Sequence, residues 1–216
     1  MNTICDLKTA LARMSEDLEK LAEDKAPKYI AGTGEAHFRN NFRKGGFVNN
    51  GLHPWPKTRR QQSGRADKAS QLGPLTSGRN FLMDSTIGES SDYRATIKND
   101  HQFAAIHNFG GTTHPEVTPA MRAHGWKVFF DAIGKKKTGN FTAKKEKRTF
   151  RQARYSEAKI DQEALMWRRI ALTTKTHLDV KIPQRQFIGE SAELNDKIIG
   201  YIEQQTKEIL KKNGLL

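Results

Sequence analysis

Apolar positions recur every three or four residues near the start of the chain. Between residues 6 and 23 they are Leu7, Leu11, Met14, Leu18 and Leu21, with acids and lysines between them. This spacing places the apolar side chains on one face and predicts an amphipathic helix. We expect Ala26-Pro27 to end that helix, because the residue before a proline is displaced from helical geometry.

The same periodicity predicts further helices. A final helix carries Leu194, Ile198, Ile202 and Ile209 on one stripe, begins at the N-cap Ser191 and stops at Asn213-Gly214. A short helix over 35–42 has Thr33 as its expected N-cap and Gly45-Gly46 as its stop. Other helices are expected as a turn within 74–87, over 101–109, from Thr118-Pro119 towards residue 133, and over 156–172 with Ser156 as cap.

Two segments alternate between apolar and polar residues, as half-buried strands do. In the first, Tyr93, Ala95 and Ile97 alternate with polar residues, and in the second Leu178, Val180 and Ile182 do so before Pro183. Two strands alone are marginally stable, so we expect other strands within segments that look like loops. Helices at both ends with strands between them indicate the α+β class.

Basic residues are concentrated in two stretches that lack a regular apolar pattern. Residues 48–73 read as a long loop, and between residues 57 and 68 five basic residues face one aspartate, a net charge of +4. Residues 134–154 hold nine basic residues and one glutamate, a net charge of +8. These stretches therefore contain nearly all of the chain's net charge of +13. The remainder is close to neutral, which predicts one domain over 1–216 with two basic loops or arms.

Composition excludes several classes of protein. The hydrophobic fraction is 36% and the mean hydropathy is −0.75, with no apolar run long enough to span a membrane and no apolar signal segment at the N-terminus. Cys5 is the only cysteine, so an intrachain disulfide is impossible and a cysteine-rich metal site is excluded. We expect a protein of a reducing cytoplasm.

No common catalytic signature occurs in the chain. GxxxxGK[ST], GxGxxG, GxSxG and HExxH are all missing. His101, His107 and His114 near Asp100 suggest a metal site, and Glu89, Asp92 and Asp84 suggest a carboxylate pair. Solvated or backbone-bonded side chains are the favoured interpretation of both sets. The sequence therefore predicts no enzyme, no cofactor and no metal.

The basic stretches carry the clearest functional signal. Their charges suit either phosphate neutralisation without base specificity or a protein-facing surface, and the second is favoured. Trp55, between two prolines, either packs back onto the body or docks on another subunit. The candidate contacts with a partner or nucleic acid are Trp55, Arg59, Arg60, Lys135, Lys136, Lys137, Lys144, Lys145, Lys147 and Arg148.

Ordered motifs along nearly the whole chain resemble the phage virion morphogenesis family, the Mu-like tail completion and head–tail joining proteins. The motifs are HFRNNF at 37–42, HPWP at 53–56, PL and SGR at 74–79, FAAIHNFGG at 103–111, TPAMR with Trp126 at 118–126, and IPQRQFIG at 182–189. The residues that carry the motif are Phe38, Phe42, Gly110, Gly111, Pro183, Arg185 and Phe187.

The resemblance implies a small antiparallel sheet flanked by the N-terminal and C-terminal helices. It also implies a structural protein that forms a ring with copies of itself and contacts other head or tail proteins, and it implies no catalytic residues. Such a chain would sit in the host cytoplasm during assembly and then in the virion, where packaged DNA is a further possible partner. Within the motif, burial of Phe187 and pairing of Arg185 with a carboxylate are the expected contacts, and the motif either holds the monomer together or serves an intersubunit role. The alternative is a sequence-nonspecific nucleic-acid-binding protein that acts through its basic arms.

Overall fold

The computed structural model describes residues 4–62, 68–77, 79, 81–132 and 162–216. Its contacts group into two compact units. Unit 1 comprises residues 1–111 and 182–216, and unit 2 comprises residues 112–181, a division that the sequence did not indicate. The predicted α+β class is confirmed, with small two-stranded antiparallel sheets flanked by N-terminal and C-terminal helices.

The elements follow one another along the chain as helices and short strands. In unit 1 they are α1 (Ile4–Lys20), a π-helical turn (Leu21–Lys25), α2 (Ala26–Lys44), β1 (Gly46–Val48), β2 (Leu52–Pro54), α3 (Arg59–Gln62), α4 (Lys68–Gln71), α5 (Phe81–Asp84), β3 (Thr86–Ser91), β4 (Arg94–Asn99) and α6 (Ala104–Phe109). Then come β5 (Gly111–Thr113), α7 (Pro119–Ala132), α8 (Gln162–Leu172), β6 (Val180–Ile182) and α9 (Ala192–Lys212). β5 pairs with β6, so the expected second strand is present over its last three residues.

Pro27 does not end the first helix, and that prediction is wrong. The chain passes through the π-helical turn, where Ala26 N–H reaches back to Leu21 O, and continues as α2 with Pro27 in its first turn. Proline lacks the N–H that would bond to the carbonyl four residues earlier. That carbonyl, Glu23 O, instead accepts from Tyr93 N at 3.1 Å. A distant turn therefore satisfies the group that the proline leaves without a donor.

The helix predicted over 35–42 is the second half of α2. Thr33 lies inside this helix and does not cap it, so its predicted role is wrong. The predicted stop is confirmed, because Gly45 has φ 67° and its N–H bonds back to Asn41 O and Phe42 O. The sequence located the end of α2 but not its beginning, since a π-helical turn leaves no local signal there.

The long loop predicted over 48–73 contains secondary structure, which corrects that prediction. β1 and β2 form an antiparallel hairpin in which Gly46 pairs with Pro54. Its turn uses the left-handed region at Asn50 (φ 52°) and Gly51 (φ 106°). Two short helices, α3 and α4, follow.

Helix α2 packs closely on the hairpin of β3 and β4. A Cβ on Gly88 would overlap the carbonyl of Ala31, and one on Gly34 would overlap the side chain of Ile97. Polar bonds fix the same contact, because Glu35 Oε2 accepts from Gly88 N at 2.8 Å and Arg39 Nε donates to Thr86 O at 3.1 Å. β3 is one of the strands that the sequence did not show.

Helix α9 begins where the sequence predicts. The Ser191 hydroxyl accepts from Leu194 N at 3.3 Å. The turn of the first hairpin docks here, since the Glu193 carboxylate accepts from Asn50 N at 3.1 Å and from Gly51 N at 2.7 Å. At the far end Lys212 Nζ pairs with Asp17 of α1 at 2.8 Å. Helix α9 therefore joins α1 to the first hairpin.

Unit 2 contains an antiparallel pair of helices. Arg122, near the start of α7, donates to Ala171 O at 3.5 Å, in the last turn of α8, and to Thr173 O just after that helix. A Cβ on Gly125 would lie 2.6 Å from Trp167 O, so the two backbones approach closely at that glycine. The predicted helix beginning at Pro119 is confirmed, whereas the predicted cap Ser156 lies outside the described residues.

Candidate functional site

Trp55 lies in the core of unit 1 together with two phenylalanines of the sequence motif. Its ring meets Phe42 edge to face, with the centroids 5.6 Å apart, and Phe42 lies 5.0 Å from Phe187. The indole N–H donates to Gln186 O at 2.7 Å. Trp55 is 7% exposed and Phe187 is 1% exposed. Of the two alternatives for Trp55, this structure shows packing onto the body of its own chain.

Arg185 reaches the proline that follows Trp55. Its guanidinium donates through Nε and Nη2 to Pro56 O, at 3.1 and 3.0 Å. The expected carboxylate partner is therefore wrong, because a main-chain carbonyl accepts both bonds. Its backbone N–H also donates to His107 O at 2.8 Å. Burial lowers the pKa of Arg185 from its ordinary value, and the two bonds to one carbonyl partly replace the water that the guanidinium has lost.

Asn108 holds the segment around Phe187 in place. Its Oδ1 accepts from Phe187 N at 2.8 Å and from Ile188 N at 3.0 Å, and its Nδ2 donates to Ile188 O at 3.1 Å. Asn41 adds a bond from Nδ2 to Phe187 O at 3.2 Å. Both asparagines lie inside motifs noted in the sequence, yet neither was selected as a site residue. Their role depends on partners ~80–146 residues away, for which the sequence holds no local signal.

The two motif glycines allow the chain to pass close to this cluster. Gly110 has φ 73°, and a Cβ there would lie 2.9 Å from Gln184 N. A Cβ on Gly111 would lie 2.7 Å from the Ile106 side chain. A side chain at Gly110 would push α6 away from the segment that follows Pro183, and one at Gly111 would collide with Ile106 of α6. The glycines are thus explained by packing inside unit 1.

Phe38, the remaining motif residue, belongs to a second cluster. It packs with Phe47 and Leu194, and all three are less than one-tenth exposed. Ile97 of β4 and Ile198 of α9 cover this cluster. The motif residues therefore converge on the contacts that join α2, the first hairpin, β4 and α9.

The candidate basic contacts divide into two groups. Arg60 donates through Nη2 to Gly73 O at 3.3 Å and to Thr76 O at 3.1 Å, so it binds the loop beyond α4. Arg59 is exposed on α3. Lys135, Lys136, Lys137, Lys144, Lys145, Lys147 and Arg148 lie outside the described residues.

The side chains considered for chemistry belong to different units or pair with other residues. His114 Nδ1 bonds to Asp179 Oδ1 at 2.8 Å in unit 2, whereas His101 and His107 belong to unit 1. Glu89 pairs with Lys98 at 2.8 Å. Within the described ranges, three or more histidine, cysteine or acidic side chains nowhere gather as metal ligands would.

The open grooves on the described surface of unit 1 include two that are lined by motif residues. The first, of about 590 Å³, runs beside Trp55, and its described ionisable lining groups are His53 and Glu190. The His53 Nε2 is bonded to Asn49 O at 2.8 Å. The second groove, of about 580 Å³, lies between α2 and the start of α9. It collects Arg43, Lys44 and Lys197 around His37 and Asn41.

The chain was compared with families of related sequences, with characterised proteins and with solved structures, and none of them matches it. Among the helices that the structure describes, none combines the length and apolar character needed to cross a membrane.

Proposed function

We propose that this chain is a structural assembly protein of a tailed phage or prophage, completing the tail or joining head to tail as part of an oligomeric ring. One observation supports this most strongly. The residues that carry the resemblance to virion morphogenesis proteins lie far apart in sequence, yet Phe42, Trp55, Asn108, Arg185 and Phe187 form a single bonded framework. They act together as the scaffold of unit 1, and the proposal assigns no catalytic role to them.

Exposed apolar side chains on unit 1 suit contacts with other proteins. Phe109 is 73% exposed beside the glycine pair, and Phe81 and Phe103 are 54% and 52% exposed. Covering a large aromatic ring that is exposed to water lowers the free energy of the system, which favours binding of a neighbour there. The partners in this proposal are copies of the same chain and other head or tail proteins, with packaged DNA as a further contact. The protein would reside in the host cytoplasm and then in the virion.

Light scattering across a wide range of concentration tests the self-association. We expect a mass that rises with concentration to a closed oligomer, because a head-to-tail interface that closes by rotation gives a ring. Replacing Phe103 and Phe109 by Ser should weaken this association. Leu216→Ser, at a terminal residue that is 71% exposed, is the matched control. A strict monomer that also fails to assemble on purified tails or heads would contradict the proposal.

A second candidate function rests on the distribution of charge. The stretches at 57–68 and 134–154 hold nearly all of the net charge of +13, which suits sequence-nonspecific binding of nucleic acid. On duplex DNA the logarithm of the binding constant should fall with the logarithm of salt by ~0.9 per phosphate neutralised. Deleting residues 134–154 should flatten this dependence. A dependence that is equally steep after the deletion would remove that stretch as the nucleic-acid contact.

A further inference from the structure

The groove between α2 and the start of α9, called here the α2–α9 groove, carries positive charge that the monomer does not neutralise. Its lining includes Arg43, Lys44 and Lys197. Over the described part of the chain, the salt bridges involve other residues and none of these three. The one lining carboxylate, Glu193, is already bonded to Asn50 N, Gly51 N and the Ser191 hydroxyl. The three cations are therefore available to an anionic partner.

The inner wall of the same groove has two buried hydrogen-bond acceptors without a donor. Asn41 is 0% exposed and uses its Nδ2 on Phe187 O, which leaves Oδ1 without a partner among the described residues. The Nε2 of His37 is also buried and unpartnered there. The ring donates a hydrogen bond to the backbone of Val48, so Nδ1 carries the proton of the neutral ring and Nε2 is the acceptor. Burial lowers the pKa of His37, and Lys197 and Lys44 lower it further. His37 is then neutral near pH 7, and a buried neutral ring nitrogen and amide oxygen are most stable when a donor reaches them.

These two observations together restrict the chemistry of an occupant. The phosphodiester backbone of nucleic acid presents acceptor oxygens and no phosphate donor, so it would satisfy the cations but not the two acceptors. A peptide with acidic side chains provides both groups, because its carboxylates suit the cations and its backbone N–H groups are donors.

The dimensions of the groove also suit a peptide. Its α2 wall extends from Gly32 to Lys44, which at ~1.5 Å per helical residue is ~18 Å long. An extended peptide rises ~3.3 Å per residue, so ~5 residues would occupy this length. At the Gly32 end of the groove, a Cβ added to this glycine would meet nothing within 4 Å, so a peptide backbone can approach α2 there. We propose that the α2–α9 groove is a docking site for an acidic peptide segment of a partner protein.

This inference goes beyond the assembly role and does not depend on it, since it rests on the charges, the unpartnered acceptors and the shape of one groove. The test uses the full chain and a fluorescein-labelled octaglutamate peptide, with octaglutamine as the uncharged control peptide. Carbodiimide coupling joins a carboxylate to a lysine Nζ in direct contact, and mass spectrometry locates the joined lysines. Coupling should be about tenfold greater at Lys44 and Lys197 than at Lys8 and Lys207, which are exposed elsewhere on unit 1.

Affinity measured by fluorescence anisotropy provides the second arm. Replacing Lys44 and Lys197 by Gln should raise the Kd for octaglutamate about tenfold, because two charged contacts are lost. The pair Lys8→Gln and Lys207→Gln makes the same change in net charge and should shift the Kd by less than about twofold. Exposed lysines are replaced in both variants, so both should fold.

Three results would overturn the proposal. The first is coupling spread evenly over exposed lysines or confined to the basic stretch at 134–154, which would show attraction by net charge alone. The second is equal loss of affinity in the two double variants. The third is a combination of two findings: octaglutamate does not bind the wild-type chain, and the Lys44 and Lys197 variant loses self-association. The occupant of the groove would then be a folded surface of a second copy. The first two results leave the ring proposal untouched, because its test uses light scattering and the Phe103 and Phe109 variants, whereas the third would place self-association in this groove.

Discussion

Replacing Asn108 by Ala should destabilise unit 1 far more than an asparagine substitution normally does. The side chain is 8% exposed and makes three hydrogen bonds to the backbone of Phe187 and Ile188. Alanine leaves two N–H groups and one carbonyl without these partners, and a buried unsatisfied group costs about 1–3 kcal/mol. Water entering the vacated space recovers part of this, so we expect a loss of about 2–4 kcal/mol in the free energy of unfolding.

Urea unfolding followed by tryptophan fluorescence measures this loss. Trp126 and Trp167 are first replaced by Phe, so that the emission comes from Trp55 in unit 1. With a urea m-value of about 2 kcal/mol per molar, the midpoint should fall by about 1–2 M at an unchanged m-value. Asn195→Ala is the matched control, because Asn195 lies exposed on α9 and should change the stability by less than about 0.5 kcal/mol. If Asn108→Ala behaves like this control, the proposed bonding of the Phe187 segment is refuted.

Two further predictions concern the core and the dependence on pH. In urea unfolding, Phe187→Ala should lower the free energy of unfolding by about 3–5 kcal/mol, because the ring is 1% exposed. Phe109→Ala is the control, and it should change this free energy by less than about 1 kcal/mol, because that ring is 73% exposed. Equal effects of the two substitutions would contradict the assignment of the core. Burial lowers the pKa of both His37 and His107 below the ordinary value of 6.5, so the unfolded chain takes up protons first and the stability should fall as the pH drops through and below that value. Unfolding free energies measured from pH 8 to pH 5 should show this loss, and replacing both histidines by Gln should flatten the slope; an unchanged slope would show that other groups cause it.

The sequence predicted those elements whose signals are local. The capped start of α9 at Ser191, the stop of α2 at Gly45 and the start of α7 at Pro119 each depend on residues within one turn of the boundary. β4 was likewise visible through the alternation of Ala95 and Ile97 with polar residues. Local chemistry decides these features, so a sequence pattern is enough to find them.

The features that the sequence missed depend on distant partners. Pro27 remains inside a helical run because Tyr93 N–H reaches the carbonyl that the proline leaves without a donor. β3 contains Gly88 and exposed polar residues, and it is stabilised by its packing on α2 and not by an apolar pattern. In both cases a tertiary contact outweighs the local preference.

The candidate site shows the same division. The burial of Phe187 was predicted from its motif, and the structure confirms it. The predicted carboxylate partner of Arg185 was wrong. The true acceptor is a main-chain carbonyl, Pro56 O, and the sequence does not indicate which carbonyl a side chain will reach, whereas acidic residues can be read from it directly. The α2–α9 groove was not foreseen, since Lys44 and Lys197 are ordinary exposed lysines until the fold brings them to opposite walls of one groove.

The most direct test of the central proposal is electron microscopy of the particles formed when a phage genome lacks only the gene for this chain. The proposal predicts separate heads and tails, or tails with an incomplete end, and joined particles once the wild-type chain is supplied. Complete, infective particles in the absence of this chain would contradict it.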